Sequence, residues 1–350
     1  MYQNLLKRTT IYCLVFFIIA MAGMVYFDAN KIIVIADSST VSTNGEHGDN
    51  SGVKTQYQLL LKNTDGSKKQ FVIPLENTVM AEDVQIQNHY IDNELWIGIR
   101  GANSEFYSRE YVSGNLENVV SGGYDIVDDV IWIKLAMKDT YEFESTMSNG
   151  KLMVKTANPR EIYDKIVVID AGHGGTDMGS IAGRFTEKKI ALDVLLAVQE
   201  KLKDSDIKVY YTRSDDGDVD DEKRVALANS VQADMLISIH LSYDEDLTVN
   251  GVTAVYNGDY FIQDFNSIYL ADKLEQAVAG ETGAFAIGLK EAEEADILVK
   301  KAKVPAAQIN IGYLSNEEER KLLVEKEYQE LIAQGICDAI TEIFKEMSKK

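Results

Sequence analysis

Three separated side chains are of the types that hold a metal: His173 in Asp170-Ala171-Gly172-His173-Gly174-Gly175, Glu187 fourteen positions later, and His240 closing Ser238-Ile239-His240. Two imidazoles and a carboxylate form the ligand set of a catalytic zinc site that keeps one coordination position open for water. His47 and His89 stand in polar or irregular surroundings without such partners and read as packed or surface histidines.

The elements around these residues must bring them together. Lys165 to Asp170 and Ala233 to Ile239 are short apolar runs of the buried parallel-strand kind, which places each histidine just beyond the carboxyl end of a strand. Open α/β sheets put their ligands at that edge. Gly172, Gly174 and Gly175 let the backbone turn sharply around His173. Glu187 precedes Ile190, Leu192, Val194, Leu195, Val198 and Leu202, so it starts an amphipathic helix with Thr186 as its cap. A glutamate there also suits the helix dipole, so both a ligand role and a purely electrostatic one fit its position.

From about Lys165 onward the chain resembles the zinc-dependent N-acetylmuramoyl-L-alanine amidases, which cut the bond between muramic acid and its stem peptide. The matching stretches are Ile169–Gly179, the Glu187 helix, Tyr211–Asp216, Arg224–Asn229, Ser238–His240 and Gly312–Asn316, in the family order. The resemblance implies Zn2+ held by His173, Glu187 and His240, with peptidoglycan as the partner. It also places Arg224 in a helix behind the site, in a structural role.

Two positions depart from the family pattern. The family carries a general-base glutamate two residues before the Gly-aromatic-Leu-Ser-Asn turn, and here that position is Asn310; the residue two after His240 is Ser242, where the family often has asparagine. Residues 297–316 contain no Asp or Glu, and strand periodicity sets Gln308 on the same face as Asn310. An amide cannot take a proton from water and pass it to a departing nitrogen near neutral pH. Loss of such a group costs on the order of a hundred- to ten-thousandfold in rate. Glu291, Glu293 and Glu294 are the nearest acids in the preceding segment, although a charge cluster of this kind also suits a solvated face.

Composition bounds the rest. The 350 residues have room for two domains, and a hydrophobic content of 45% argues against general disorder. A net charge of −21 disfavours nucleic acid and acidic polymers, so any wall contact must be local. The two cysteines, Cys13 and Cys337, are not expected to pair. Residues 11–27 form an unbroken apolar run behind Lys7 and Arg8. It reads as a single-pass membrane anchor with residues 1–10 cytoplasmic and the remainder outside, or as a signal peptide cut after Ala20-Met21-Ala22. Residues 28–55 read as a flexible linker. Residues 56–158 carry short alternating runs that suggest a small antiparallel β-sandwich, where Trp96 and Trp132 either fill the core or line a glycan-binding face. Residues 162–350 form the amidase-like domain: strands at 166–170, 207–212, 234–239, 252–256 and 306–311 alternate with helices near 187–204, 221–231, 264–280 and 327–347. That order gives an α/β fold, a mainly parallel sheet with helices on both faces.

Two readings of function follow. The chain is a zinc amidase whose usual acid is replaced, or a pseudo-amidase that binds metal and peptidoglycan as a sensor or as regulator of an active enzyme.

Overall fold

The structure is a computed structural model that describes residues 31–32, 35–37, 57–64, 69–258 and 265–348. The apolar run at 11–27, Cys13, His47 and most of the linker lie outside the described residues. The expectation of a flexible linker over all of 28–55 needs correction, since Lys31–Ile32 and Ile35–Asp37 within it pair as strands with Thr146–Met147 and Ile86–Asn88. Among those described, no helix is long and apolar enough to cross a membrane. The chain divides into two compact units, one drawn from residues before Ala157, the other from Asn158–Lys350 with Tyr90–Asp92.

The first unit holds two six-stranded sheets, β1 to β12 in chain order, at Lys31–Ile32, Ile35–Asp37, Tyr57–Gln58, Leu60–Asn63, Gln70–Pro74, Val84–His89, Glu94–Arg100, Tyr111–Gly114, Val119–Val127, Val130–Met137, Glu142–Ser148 and Lys151–Ala157. The sheets run β1-β11-β12-β5-β8-β4 and β2-β6-β7-β10-β9-β3. Their alternating strands turn Phe71, Ile73, Ile86, Ile97, Ile133 and Val154 into one apolar cluster fed by both sheets. The expectation of purely antiparallel pairing needs correction, since β2–β6 and β4–β8 are parallel. Alternation reports which face is buried but not the direction of a partner reached by a long connection.

Neither tryptophan is in that core. Trp96 and Trp132 lie half-buried on the opposite face with ring centroids 6.1 Å apart. His89 stacks on Trp96 at 4.1 Å and meets Gln87, and Lys134 Nζ sits 4.0 Å from the same indole.

In the second unit a six-stranded sheet is built from β13 (Ile166–Ala171), β16 (Lys208–Tyr211), β17 (Met235–Ser242), β18 (Val252–Tyr256), β19 (Ala286–Glu291) and β20 (Ala306–Tyr313). A hairpin of β14 (Ile181–Ala182) and β15 (Phe185–Thr186) stands apart. The order is β16-β13-β17-β20-β18-β19. The first four strands are parallel, β18 runs against β20, and β19 follows β18. The sequence left β19 unassigned because Ala286-Ile287-Gly288 interrupts any strand pattern.

Two clusters cover the faces of this sheet. One joins Val167, Ile169, Ile237, Ile239 and Ile309 to the helices Glu187–Leu202, Ser267–Thr282 and Lys326–Met347. The other joins Ile166, Val168, Leu236 and Ala306 to the helices Asp221–Ser230 and Ile297–Lys301. Cys337 is free and buried.

Candidate metal centre

The chain turns out of β13 through backbone that L-residues avoid. His173 has φ 62°, followed by Gly174 at 135° and Gly175 at 53°. A non-glycine residue held there costs on the order of 1–3 kcal/mol, so the surroundings must impose it. Space is equally constrained: a Cβ on Gly172 would lie 2.2 Å from His240 Cε1. One on Gly179 would lie 2.6 Å from His173 Cδ2 and 2.8 Å from Glu187 Oε2. Both glycines exist because imidazole or carboxylate occupies the room a side chain would need.

Glu187 is the first residue of its helix and is buried. Thr186 occupies the cap position, but its side chain makes no capping bond. The helix start is closed instead by backbone, with Glu187 N donating to Ser180 O (2.9 Å) and Lys188 N to Met178 O (3.3 Å). The carboxylate then accepts from Ser180 N and Leu241 N, each at 2.9 Å. His240 lies inside β17 rather than beyond it, because pairing with β20 continues through His240↔Asn310 to Ser242↔Tyr313.

The three side chains converge. His240 Nδ1 is 2.9 Å and His173 Nε2 3.3 Å from Glu187 Oε1, and one donor atom from each residue lies within 4.8 Å of the others. Behind His173, Asp177 Oδ2 accepts a hydrogen bond from Nδ1 at 2.7 Å, which turns Nε2 toward Glu187. The sequence reading did not include Asp177; its signal is the i+4 spacing from His173, and carboxylates of this kind orient metal-bound histidines.

Charge follows geometry. Burial alone would lower His173, but Glu187 and then Asp177 outweigh it and push it up to about 9. Burial would raise Glu187, yet hydrogen bonds and attraction from His173 and His240 hold it far below the usual carboxylate range. A buried carboxylate facing two imidazole nitrogens is a donor set suited to a divalent ion of the zinc type, so the residues present fit the metal.

Beside His240 the chemistry changes. Asn310 is buried and occupies the β20 position next to His240 and Thr253. Its Oδ1 accepts from Gln308 Nε2 at 2.9 Å and its Nδ2 donates to Thr253 Oγ1 at 3.0 Å. The two amides thus share one face. Glu291, Glu293 and Glu294 are not candidates to replace the acid: β18 is reversed, so Tyr256, the partner of Glu291, sits beside Ala307 at the opposite edge of the sheet. Glu319 is at the correct edge but is committed, accepting from Tyr313 N (2.6 Å) and Gly251 N (2.9 Å). Its burial raises its pKa against those two bonds. The signal for it was Asn316-x-x-Glu319 at a helix start, although the carboxylate reaches past the cap to other backbone.

A mainly parallel α/β sheet with three possible metal donors at its carboxyl edge defines an α/β protein with a candidate metal centre. Within it, residues 167–342 match the family of N-acetylmuramoyl-L-alanine amidases, and the chain belongs to that family. It is 26% identical over 317 residues to the amidase LytC of Bacillus subtilis, a match covering 89% of this chain and 62% of LytC. A germination-specific amidase of the same organism is 30% identical over 198 residues, covering 52% of this chain and 81% of its own. Among solved structures, the catalytic domain of CwlV from Bacillus (Paenibacillus) polymyxa is 32% identical with TM-score 0.48, covering 52% of this chain and 98% of that one.

Proposed function

We propose that the protein acts on peptidoglycan as an N-acetylmuramoyl-L-alanine amidase, with zinc held by His173, Glu187 and His240. The observation that carries this reading is the convergence of the three donors, with Asp177 behind His173, in a chain of this family. Zinc bound there supplies a Lewis acid for the amide carbonyl and makes water nucleophilic near neutral pH. The chain's own share is to hold His173 and His240 in register on Glu187 and to place the neutral Gln308–Asn310–Thr253 strip beside the reacting bond. Asn310 donates and accepts hydrogen bonds there but moves no proton. Turnover is therefore slow relative to a form with glutamate at 310, by about a hundred- to ten-thousandfold.

The neutral amide strip also supports a second reading, a pseudo-amidase that binds metal and peptidoglycan without cleaving it. In both readings we also propose that the apolar segment at 11–27 anchors the chain in the membrane with the folded part outside.

The test is release of stem peptides from purified peptidoglycan by the zinc-loaded protein, beside His173→Ala and Asn310→Glu. Cleavage by the unaltered chain that His173→Ala abolishes establishes the amidase. Cleavage by Asn310→Glu alone establishes the binding protein. No cleavage by any form removes the amidase reading.

A further inference from the structure

Beneath the donors lies a buried polar framework that none of the chemistry above uses. Asp170 is fully buried, two residues into the sheet from Gly172. Its Oδ1 accepts from Arg224 Nη1 at 2.6 Å and Thr212 Oγ1 at 2.5 Å, and its Oδ2 accepts from Ser238 Oγ at 2.5 Å. Arg224 also donates from Nη1 to Ala171 O and from Nη2 to His173 O, both at 2.8 Å. Arg213 donates from Nε to Ala171 O at 2.8 Å and from Nη2 to both Gly172 O and Lys188 O at 2.9 Å. Its Nη1 meets Asp215 O, so each of these Arg213 bonds ends on a backbone carbonyl.

Two buried guanidiniums on three successive carbonyls are expensive to desolvate, and a loop that needed only to be closed would not require them. The places they touch explain the expense. The carbonyls of Ala171, Gly172 and His173 run from the end of β13 into the left-handed turn that presents His173. Lys188 is the neighbour of Glu187, and one Arg213 nitrogen ties it to Gly172. Ser238 stands two residues before His240 on β17. The framework thus reaches a backbone or side-chain neighbour of every donor while touching no donor atom. A planar fork can bridge several carbonyls at fixed angles, which a single ammonium cannot do.

We infer that Arg213, with Arg224 and Asp170, is a positioning framework that presets the His173–Glu187–His240 donors and thereby sets metal affinity. The inference rests on the donor-set reading above. Arg213→Lys keeps the buried charge and one hydrogen bond but loses the bridge between Gly172 and Lys188. Residues that orient metal ligands from outside the coordination shell are worth about ten- to a hundredfold in affinity.

The test compares the full unaltered chain with Arg213→Lys and Arg213→Gln. Zn2+ affinity is measured by competition with a chromogenic chelator, and the visible d–d spectrum is recorded with Co2+. Melting of the EDTA-treated proteins serves as the measure of fold. The expected result is a ten- to hundredfold loss of Zn2+ affinity in Arg213→Lys with an altered Co2+ spectrum, while metal-free melting stays within a few degrees. Zn2+ affinity within threefold of the unaltered chain and an unchanged Co2+ spectrum would overturn the framework. Weakening that follows only from lowered metal-free stability, in Lys and Gln forms alike, would overturn it too. Failure of the unaltered chain to bind either metal would bring down the donor set itself, a separate result.

Discussion

Neighbouring positions on one sheet edge hold opposite kinds of chemistry. In the turn after β13, at the start of the Glu187 helix and on β17, the side chains are ionisable, crowded around one carboxylate and fixed by their surroundings. One strand over, on β20 and β18, Gln308, Asn310 and Thr253 are neutral and hydrogen-bonded to one another. In the proposed function metal binding falls to the first region, whereas delivering a proton to a leaving amine would need an acid in the second. The contrast teaches that the donors and the neutral strip are built on separate elements, so a substitution in one need not disturb the other.

The largest expected effect breaks the first region. Gly172→Ala drives a methyl group into the His240 ring, at 2.2 Å from Cε1, so the ring must leave Glu187. Zn2+ affinity measured by chelator competition should fall by more than about a hundredfold, beyond the usual cost of an outer-shell change. Unchanged affinity would mean His240 is not a donor. Next in size is Asn310→Glu, which gives the second region a carboxylate that can accept from Gln308 Nε2 and the Thr253 hydroxyl. Stem-peptide release should rise by about a hundred- to ten-thousandfold. Zn2+ affinity should change by less than threefold, and a larger change would show that the two regions are coupled. A smaller effect is expected at the rim of the first region: Asp177→Asn leaves a weaker acceptor at His173 Nδ1 and should cost about tenfold in Zn2+ affinity.

Much of this contrast was readable before any coordinates. Apolar runs ending at Asp170 and near Ser238 placed both histidines at one edge, because buried parallel strands are written as continuous hydrophobic segments. The missing acid at 310 was marked by the family resemblance, and strand period added only that Gln308 shares its face. What stayed hidden depended on direction and reach. The reversal of β18, which carries Glu291 to the far edge, has no periodic signature. Arg213 and Asp170 sit 43 positions apart, and the hydroxyls that complete Asp170's shell come from Thr212, just past β16, and Ser238, inside β17. Long-range hydrogen bonds of buried polar groups follow from the packed fold, not from local pattern. In the first unit, the indoles were compatible with either face, and the structure assigns them to the outer one.

The smallest expected effect is one of pH, and it sharpens the first region alone. With no metal bound, His173 keeps its proton up to about 9, against an ordinary 6.5, because Glu187 and Asp177 overcome the cost of burial. Its protonated form favours the folded chain, so this contribution is complete below about 6.5 and disappears as pH rises through about 9. Glu187 works in the other direction: its depressed pKa stabilises the fold above about 4.5 and is lost on acidification. The melting temperature of the EDTA-treated protein should therefore decline between these two histidine values. Zinc requires His173 deprotonated, so the zinc-loaded protein should lack that decline and instead bind metal more tightly as pH rises. Parallel melting curves with and without zinc would show that His173 does not exchange its proton for the metal. Asn310→Glu, across the boundary, should leave the slope in EDTA nearly as it is if the two regions titrate independently.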